Sequence, residues 1–163
     1  MIETVINIIK DKLGDDVIKN IDDQATPVML QVATDNLLAI CQQLHNHEQL
    51  YFDFLQCISG VDNGKEAGTM EVIYNLHSIP HHYFLSLQVI IERPLPNQLV
   101  AIPSVSSVWR TANWLERETY DLLGINFTSH PDMRRILLPA DWKGYPLRKD
   151  YETQEYYHGI KVD

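Results

Sequence analysis

Apolar residues recur at helical spacing near the start of the chain, with polar or charged residues between them. The apolar positions are Ile2, Val5, Ile6, Ile9 and Leu13. Gly14 follows, and glycine is a common residue just after a helix. The pattern predicts an opening amphipathic α-helix that turns one stripe towards a core.

Two short runs with strand character follow this helix. They are VIKNI and PVMLQVAT, with the polar stretch DDQAT between them. Thr34 then stands where it can cap a second helix through DNLLAICQQLHNH. The apolar stripe of that helix consists of Leu37, Ile40, Cys41 and Leu44.

The middle of the chain changes from helical to strand periodicity. Three runs rich in aromatic and β-branched residues are separated by Asp, Asn, Gly, Pro and His, which favours an antiparallel sheet. The runs are LYFDFLQCISGVD, GTMEVIYNLHS and HYFLSLQVIIER. After LVAIPS, the sequence predicts a third helix that begins at Ser106 or Ser107 and ends at Gly124.

Periodicity disappears from about residue 125, where three prolines remove backbone donors and interrupt every candidate helix. These are Pro131, Pro139 and Pro146. A long stretch without regular structure is usually functional or needs external support. The sequence therefore predicts a two-layer α+β domain at residues 1–124, and an extended, irregular C-terminal segment, residues 125–163, that packs on a partner surface.

In the predicted α+β domain, helices cover one face of a mixed, mainly antiparallel sheet of about five strands. We expect the chain of 163 residues to form one domain overall, because this length supports a single core. No stretch approaches the length of an apolar membrane span. The N-terminus has neither signal-peptide nor transit-peptide character, so we expect an intracellular product.

Charge is unevenly distributed along the chain. The net charge is −9, which disfavours nucleic acid as a partner. Residues 1–109 hold 5 Lys or Arg against 13 Asp or Glu, whereas residues 110–151 hold 7 against 6. Such a near-neutral segment of mixed sign suits ion pairing with a protein surface better than binding of a polyanion.

The charged stretch ERETYD on the third helix has several interpretations. Arg117 and Asp121 are one turn apart, but no His follows Glu116 or Glu118 at the spacing of a helical metal site. The alternatives are a solvated face and a charge network that anchors the C-terminal segment or meets a partner. An acid/base pair is disfavoured.

Other candidate residues lack a recognisable catalytic partner. Arg134 and Arg135 offer forked donors to carboxylates, or form an exposed pair, or bind a phosphate. Cys41 and Cys57 are too few for an iron–sulfur cluster or structural zinc, so we expect buried free thiols. We expect Trp109 in the core and Trp142 at a partner contact. The chain contains no nucleotide-binding or nucleophile motif.

Three stretches resemble a known family, the 30 kDa or C subunit of respiratory complex I, the proton-pumping NADH:quinone oxidoreductase. They are ANWLERETYDLLGI, HPDMRRILLP and DWKGYPLRKDY. The family signature is met by Glu116, Arg117, Glu118, Asp121, Leu122, Leu123, His130, Arg134, Ile136 and Leu137. Leu123, Met133 and Tyr145 depart from the residues usual in the family, and none of these departures removes a charge.

The resemblance implies a non-catalytic structural subunit of the peripheral arm that packs against the D subunit beside the quinone module. FMN, iron–sulfur clusters, NADH and quinone would all lie on other subunits. The chain would reach the membrane only through the complex, on the cytoplasmic side of a bacterial inner membrane. The implied residues for the partner interface or for anchoring the segment are Glu116, Arg117, Glu118, Asp121, His130, Asp132, Arg134, Arg135, Trp142, Arg148, Lys149 and Asp150.

Two alternatives stay open. The chain could be the equivalent subunit of a membrane-bound hydrogenase-type relative, which would have a similar sequence. It could also be a free-standing enzyme that acts on an anionic substrate through His130, Arg134 and Arg135, although no base–nucleophile pair supports this.

Overall fold

A computed structural model describes residues 2–95 and 98–161. Helix α1 spans Ile2–Leu13 and buries Val5 and Ile9. Gly14 follows the last helical residue, and its N–H donates to the Lys10 carbonyl at 2.8 Å. The predicted amphipathic helix is confirmed.

Five strands form the main sheet, in the order β1-β2-β5-β4-β3. Their bounds are β1 Ile18–Asp22, β2 Met29–Val32, β3 Phe54–Asp62, β4 Thr69–Ser78 and β5 Tyr83–Glu92. Strands β2 and β5 run parallel, and the other neighbouring pairs run antiparallel. The prediction of a mixed, mainly antiparallel sheet is therefore confirmed.

The core lies on one face of this sheet. Side chains alternate along β4, so that Met70, Val72, Tyr74 and Leu76 are buried and the residues between them are partly exposed. Helix α2 (Leu37–Asn46) buries its predicted stripe in the same core. Helix α3 (Ala112–Leu123) approaches β3 at Gly60, where a Cβ atom would overlap Leu123. The close approach explains a glycine within a strand.

The starts of two helices differ from the predictions. Thr34 belongs to a 3₁₀ turn, Thr34–Asn36, and no side chain from the described ranges forms a cap hydrogen bond at the start of α2. Helix α3 begins at Ala112 rather than at Ser106 or Ser107. The Trp109 indole N–H donates to the Phe52 carbonyl at 2.9 Å, which holds the preceding turn against the core. This tertiary contact outweighs the local capping preference of the serines.

Helix α3 connects two parallel strands, β6 (Val100–Pro103) and β7 (Ile125–Thr128). Strand β7 lies just after the boundary that we expected at residue 124, and it buries Ile125 and Phe127. The rest of the C-terminal segment consists of turns and a small hairpin, β8 (Tyr156–Tyr157) and β9 (Ile160–Lys161). Within the described ranges, no helix has the length and hydropathy needed to cross a membrane.

Candidate functional site: a charged helix bound to the C-terminal segment

Asp121 is the most heavily hydrogen-bonded carboxylate of α3. Its Oδ2 accepts the backbone N–H groups of Ile136, Leu137 and Leu138 at 3.0, 2.7 and 2.8 Å. Its Oδ1 accepts Nη1 of Arg135 at 2.7 Å. Burial by itself raises the pKa of Asp121, but these bonds outweigh it and hold the pKa below the usual range. The carboxylate therefore binds the chain at residues 135–138 to the helix.

Arg117 binds the same stretch through its backbone. Its Nε and Nη2 donate to the carbonyls of Arg134 and Arg135 at 3.1 and 3.0 Å. Its Nη1 lies 3.8 Å from Oδ2 of Asp132. The guanidinium is buried, so its hydrogen bonds to carbonyls compensate for the loss of water. Arg117 and Asp121 are four residues apart on α3. They therefore bind the same stretch of the C-terminal segment from neighbouring turns of the helix.

Glu116 lies on the inner side of α3 and is fully buried. Its Oε2 accepts the Ser104 hydroxyl at 2.6 Å, and its Oε1 accepts the Val105 N–H at 2.7 Å. Burial raises the pKa of Glu116 to about 7, although both hydrogen bonds act in the opposite direction. Burial and the nearby Glu116 charge also raise the pKa of Tyr74 and of Cys41.

His130 is held by the backbone on both sides of its ring. Nε2 lies 3.0 Å from the Asn113 carbonyl, and the Asp132 N–H donates to Nδ1 at 3.0 Å. A carbonyl only accepts and an amide only donates, so Nε2 donates to the Asn113 carbonyl and Nδ1 accepts the Asp132 N–H, while Oε2 of Glu116 lies 3.8 Å from Nε2. The side chain is inaccessible to solvent. Both ring nitrogens are therefore engaged by backbone groups of the same chain.

Arg148 closes the C-terminal end of α3. Its Nε donates to the Leu123 carbonyl at 2.6 Å, and the Leu147 N–H donates to the Leu122 carbonyl at 3.0 Å. These carbonyls have no partner within the helix. Gly124 has φ 72°, and a Cβ atom there would lie 2.6 Å from both Arg148 Nη2 and the Tyr145 ring. Glycine is required at this position by conformation and by packing.

A second anchor joins the C-terminal segment to the main sheet. Arg93 donates to both oxygens of Asp62 at 2.7 and 3.0 Å and to Oδ1 of Asp150 at 2.6 Å. Asp62 also accepts the Lys149 N–H at 2.9 Å. Burial raises the pKa of Asp62, but the bonds from Arg93, Lys149 and Gly64 bring it to about 2. The anchor links the ends of β3 and β5 to residues 149 and 150.

The remaining predicted site residues are more exposed. Glu118 is exposed on α3, and Arg134 pairs with Asp132 at 2.9 Å on the surface. Trp142 is half-buried beside Tyr157, with a ring-centroid distance of 5.3 Å. Among the residues that the structure describes, nine of the predicted residues make side-chain hydrogen bonds within the chain, and Glu118, Lys149 and Trp142 make none.

Sequence reasoning missed four residues of this network: Asp62, Arg93, Ser104 and Tyr145. Asp62 and Arg93 stand at strand ends far from the charged motif in the sequence, so no spacing connects them to it. The Tyr145 ring lies against two guanidinium groups. Its centroid is 5.1 Å from Cζ of Arg135 and 4.7 Å from Cζ of Arg148. The sequence singles out Tyr145 only as a departure from the residue usual in the family, and no spacing places it beside the two arginines.

Over the ranges 2–95 and 98–161, no group of three or more His, Cys, Asp or Glu residues could hold a metal ion.

Cys41 is buried, whereas Cys57 is only half-buried, with Sγ 3.1 Å from Nδ2 of Asn75. The expectation that both thiols are buried is therefore wrong for Cys57.

Two curated proteins that are similar to almost all of this chain carry the same description. A relative from Chloroherpeton thalassium, the C subunit of NADH-quinone oxidoreductase, is 45% identical over 98% of this chain and 65% of its own length. The chain therefore spans slightly less than two thirds of that relative. The C subunit of the same enzyme from Chlorobium phaeobacteroides is 41% identical over 96% of this chain and 92% of its own length.

Two solved structures share the fold. One belongs to the archaeal membrane-bound sulfane sulfur reductase complex, with TM-score 0.74 and 20% identity, covering 92% of this chain and 85% of the other. The second is a trypsin-resistant fragment of Nqo5, with TM-score 0.56 and 25% identity, covering 80% of this chain and 98% of the fragment. The family model for the 30 kDa subunit of respiratory-chain NADH dehydrogenase matches residues 30–157. The chain is therefore a member of the family of the 30 kDa subunit of respiratory-chain NADH dehydrogenase.

Proposed function

We propose that the chain is a non-catalytic structural subunit of the peripheral arm of a proton-translocating NADH:quinone oxidoreductase. In this role it packs against the D subunit near the quinone module and supports electron transfer from NADH to quinone. FMN, iron–sulfur clusters, NADH and quinone lie on the other subunits. The chain is peripheral to the cytoplasmic side of a bacterial inner membrane and is held there through its partners.

One observation carries the assembly role. The C-terminal segment has little regular structure, yet buried charges fix it to α3 and to the main sheet. The segment between these anchors also presents two apolar side chains that are more than half exposed, Leu137 and Leu147. Fixed apolar groups lose little conformational entropy on binding, so this arrangement favours a protein partner.

Family membership supplies the identity of the complex. Relatives that match almost all of this chain are described as the C subunit of NADH-quinone oxidoreductase. The hydrogen bonds of the charged motif lie within the chain, which supports a positioning role over chemistry at these residues. The enzyme activity then belongs to the complex rather than to the isolated chain.

The test is affinity purification of the tagged chain from its native membranes in mild detergent. We expect recovery of the D subunit and of flavin and iron–sulfur subunits at equal stoichiometry, together with NADH:quinone activity in the eluate. An untagged strain is the control. Recovery of the chain alone, or with hydrogenase subunits in place of NADH-oxidising subunits, would contradict the proposal.

A further inference from the structure

A groove runs between the edge strand β3 and helix α3, and two cavities follow each other along it. The first has a volume of about 290 Å³ and is lined by Phe54, Leu55, Gln56, Thr111, Trp114 and Leu115. The second has a volume of about 200 Å³ and includes Gly60, Glu118, Leu122 and Leu147 in its lining. Both cavities lie between the same two elements, so we treat them as one α3–β3 groove.

The walls of the α3–β3 groove expose large apolar side chains. Trp114 is 65% exposed, Leu147 is 58% exposed and Phe54 is 42% exposed. Tryptophan is enriched among the residues that dominate binding energy at protein interfaces. The groove is continuous at Leu147 with the exposed face of the C-terminal segment.

Glu118 lines the second cavity and lies four residues from both Trp114 and Leu122 on α3. The other charged side chains of α3, namely Glu116, Arg117 and Asp121, are buried and bound within the chain. Glu118 is exposed, and among the described residues no cation lies within salt-bridge distance of its carboxylate. The groove therefore offers one negative charge to a partner, on a protein whose net charge is −9.

Strand β3 borders the groove and is an edge of the main sheet. In the described part of the chain, β3 pairs only with β4. Its other edge presents backbone donors and acceptors, which an extended segment of another chain can use. The edge favours an extended occupant over a helical one.

We propose that the α3–β3 groove docks an extended segment of a neighbouring subunit in which a Lys or Arg is flanked by apolar side chains. The cation pairs with Glu118, and the flanking side chains cover Trp114 and Leu147. The segment needs a basic residue because Glu118 is negative, and it needs apolar neighbours because the groove lining exposes apolar side chains. This inference rests on the proposed function only in placing that segment in the same complex.

The first test is site-specific photo-crosslinking in native membranes. Benzoylphenylalanine replaces Gln56 at the groove, and in a control strain it replaces Ile79 in the exposed β4–β5 turn. We expect position 56 to capture one peptide that contains Lys or Arg beside apolar residues and belongs to another protein of the complex. A captured peptide without a basic residue, or one from a second copy of this chain, would overturn the proposal.

The second test uses Trp114→Ala and Glu118→Lys in the tagged chain, with Ile79→Ala as the matched exposed control. We expect both groove variants to lower recovery of the captured protein about tenfold, as loss of a central interface residue does, and the control to leave it unchanged. All three side chains are exposed, so thermal melting of the isolated variants should match that of the wild type.

The outcomes separate this inference from the proposed function. If the wild-type chain recovers no other component of an NADH:quinone oxidoreductase, the proposed function is wrong. If the wild type recovers the complex and both groove variants recover it equally well, the docking role of the groove is wrong and the proposed function stands.

Discussion

Nη1 of Arg135 lies 2.7 Å from Oδ1 of Asp121, and this ion pair joins the C-terminal segment to helix α3. The Asp121 side chain is inaccessible to solvent, and that of Arg135 is 15% exposed. Removing one member of a buried pair leaves the other charge without compensation, which is more costly than losing a surface pair. The charged motif is therefore a structural element of the chain itself.

Asp121→Asn should destabilise the folded protein by about 3 kcal/mol, because the amide keeps the shape of the side chain but loses its charge-assisted hydrogen bonds. Urea denaturation of the isolated chain measures this change. Glu118→Gln on the exposed side of the same helix is the matched control, and we expect its effect to stay within about 0.5 kcal/mol. Equal effects of the two substitutions would contradict the assigned role of Asp121.

Arg135→Ala and Arg134→Ala should differ although the residues are adjacent. The side chain of Arg134 is 71% exposed, and its pair with Asp132 lies at the surface. We expect Arg135→Ala to expose residues 135–138 to limited proteolysis much faster than Arg134→Ala does. Similar cleavage rates for the two variants would show that the Asp121 pair does not hold the segment.

Glu116 should make stability fall as pH rises. Burial raises its pKa from the ordinary value of 4.5 to about 7, so the folded chain retains a proton that the unfolded chain releases between these values. The contribution of Glu116 to the free energy of unfolding is fully present below about pH 4.5 and is lost as pH rises through 7. The total loss is about 3 kcal/mol.

Denaturant titrations of the wild type and Glu116→Gln at pH 5 and pH 8 test this expectation. The amide does not ionise, so the variant should gain stability relative to the wild type between the two pH values. A difference that does not change with pH would rule out the raised pKa.

Asp62 should have the opposite pH dependence. Its pKa is lowered from 3.8 to about 2, so the stability it contributes is present above pH 4 and is lost as pH falls towards 2. We expect the wild type to lose about 2 kcal/mol more than Asp62→Asn over this interval. Acid titrations of both proteins, followed by tryptophan fluorescence, measure the difference.

Local patterns in the sequence predict most of the fold, whereas the hydrogen bonds of the site depend on tertiary placement. The apolar stripe predicts helix α1, and the glycines at positions 14 and 124 predict the ends of α1 and α3. Both helix ends are confirmed. The pairing of β2 with β5 joins distant strands, and no local pattern encodes it. Glu116 and Asp121 are buried because Ser104 and residues 135–138 pack against them. The helical spacing of the charged residues does not predict these partners.

Hydrogen exchange at the amides of Ile136, Leu137 and Leu138 in the isolated chain tests the central claim most directly. These three N–H groups lie in irregular structure and donate to one oxygen of Asp121. We predict protection from exchange in the wild type without any partner, and loss of protection in Asp121→Asn. Exchange at the rate of an unfolded chain in the isolated wild type would contradict the account, because the segment would then depend on a partner for its order.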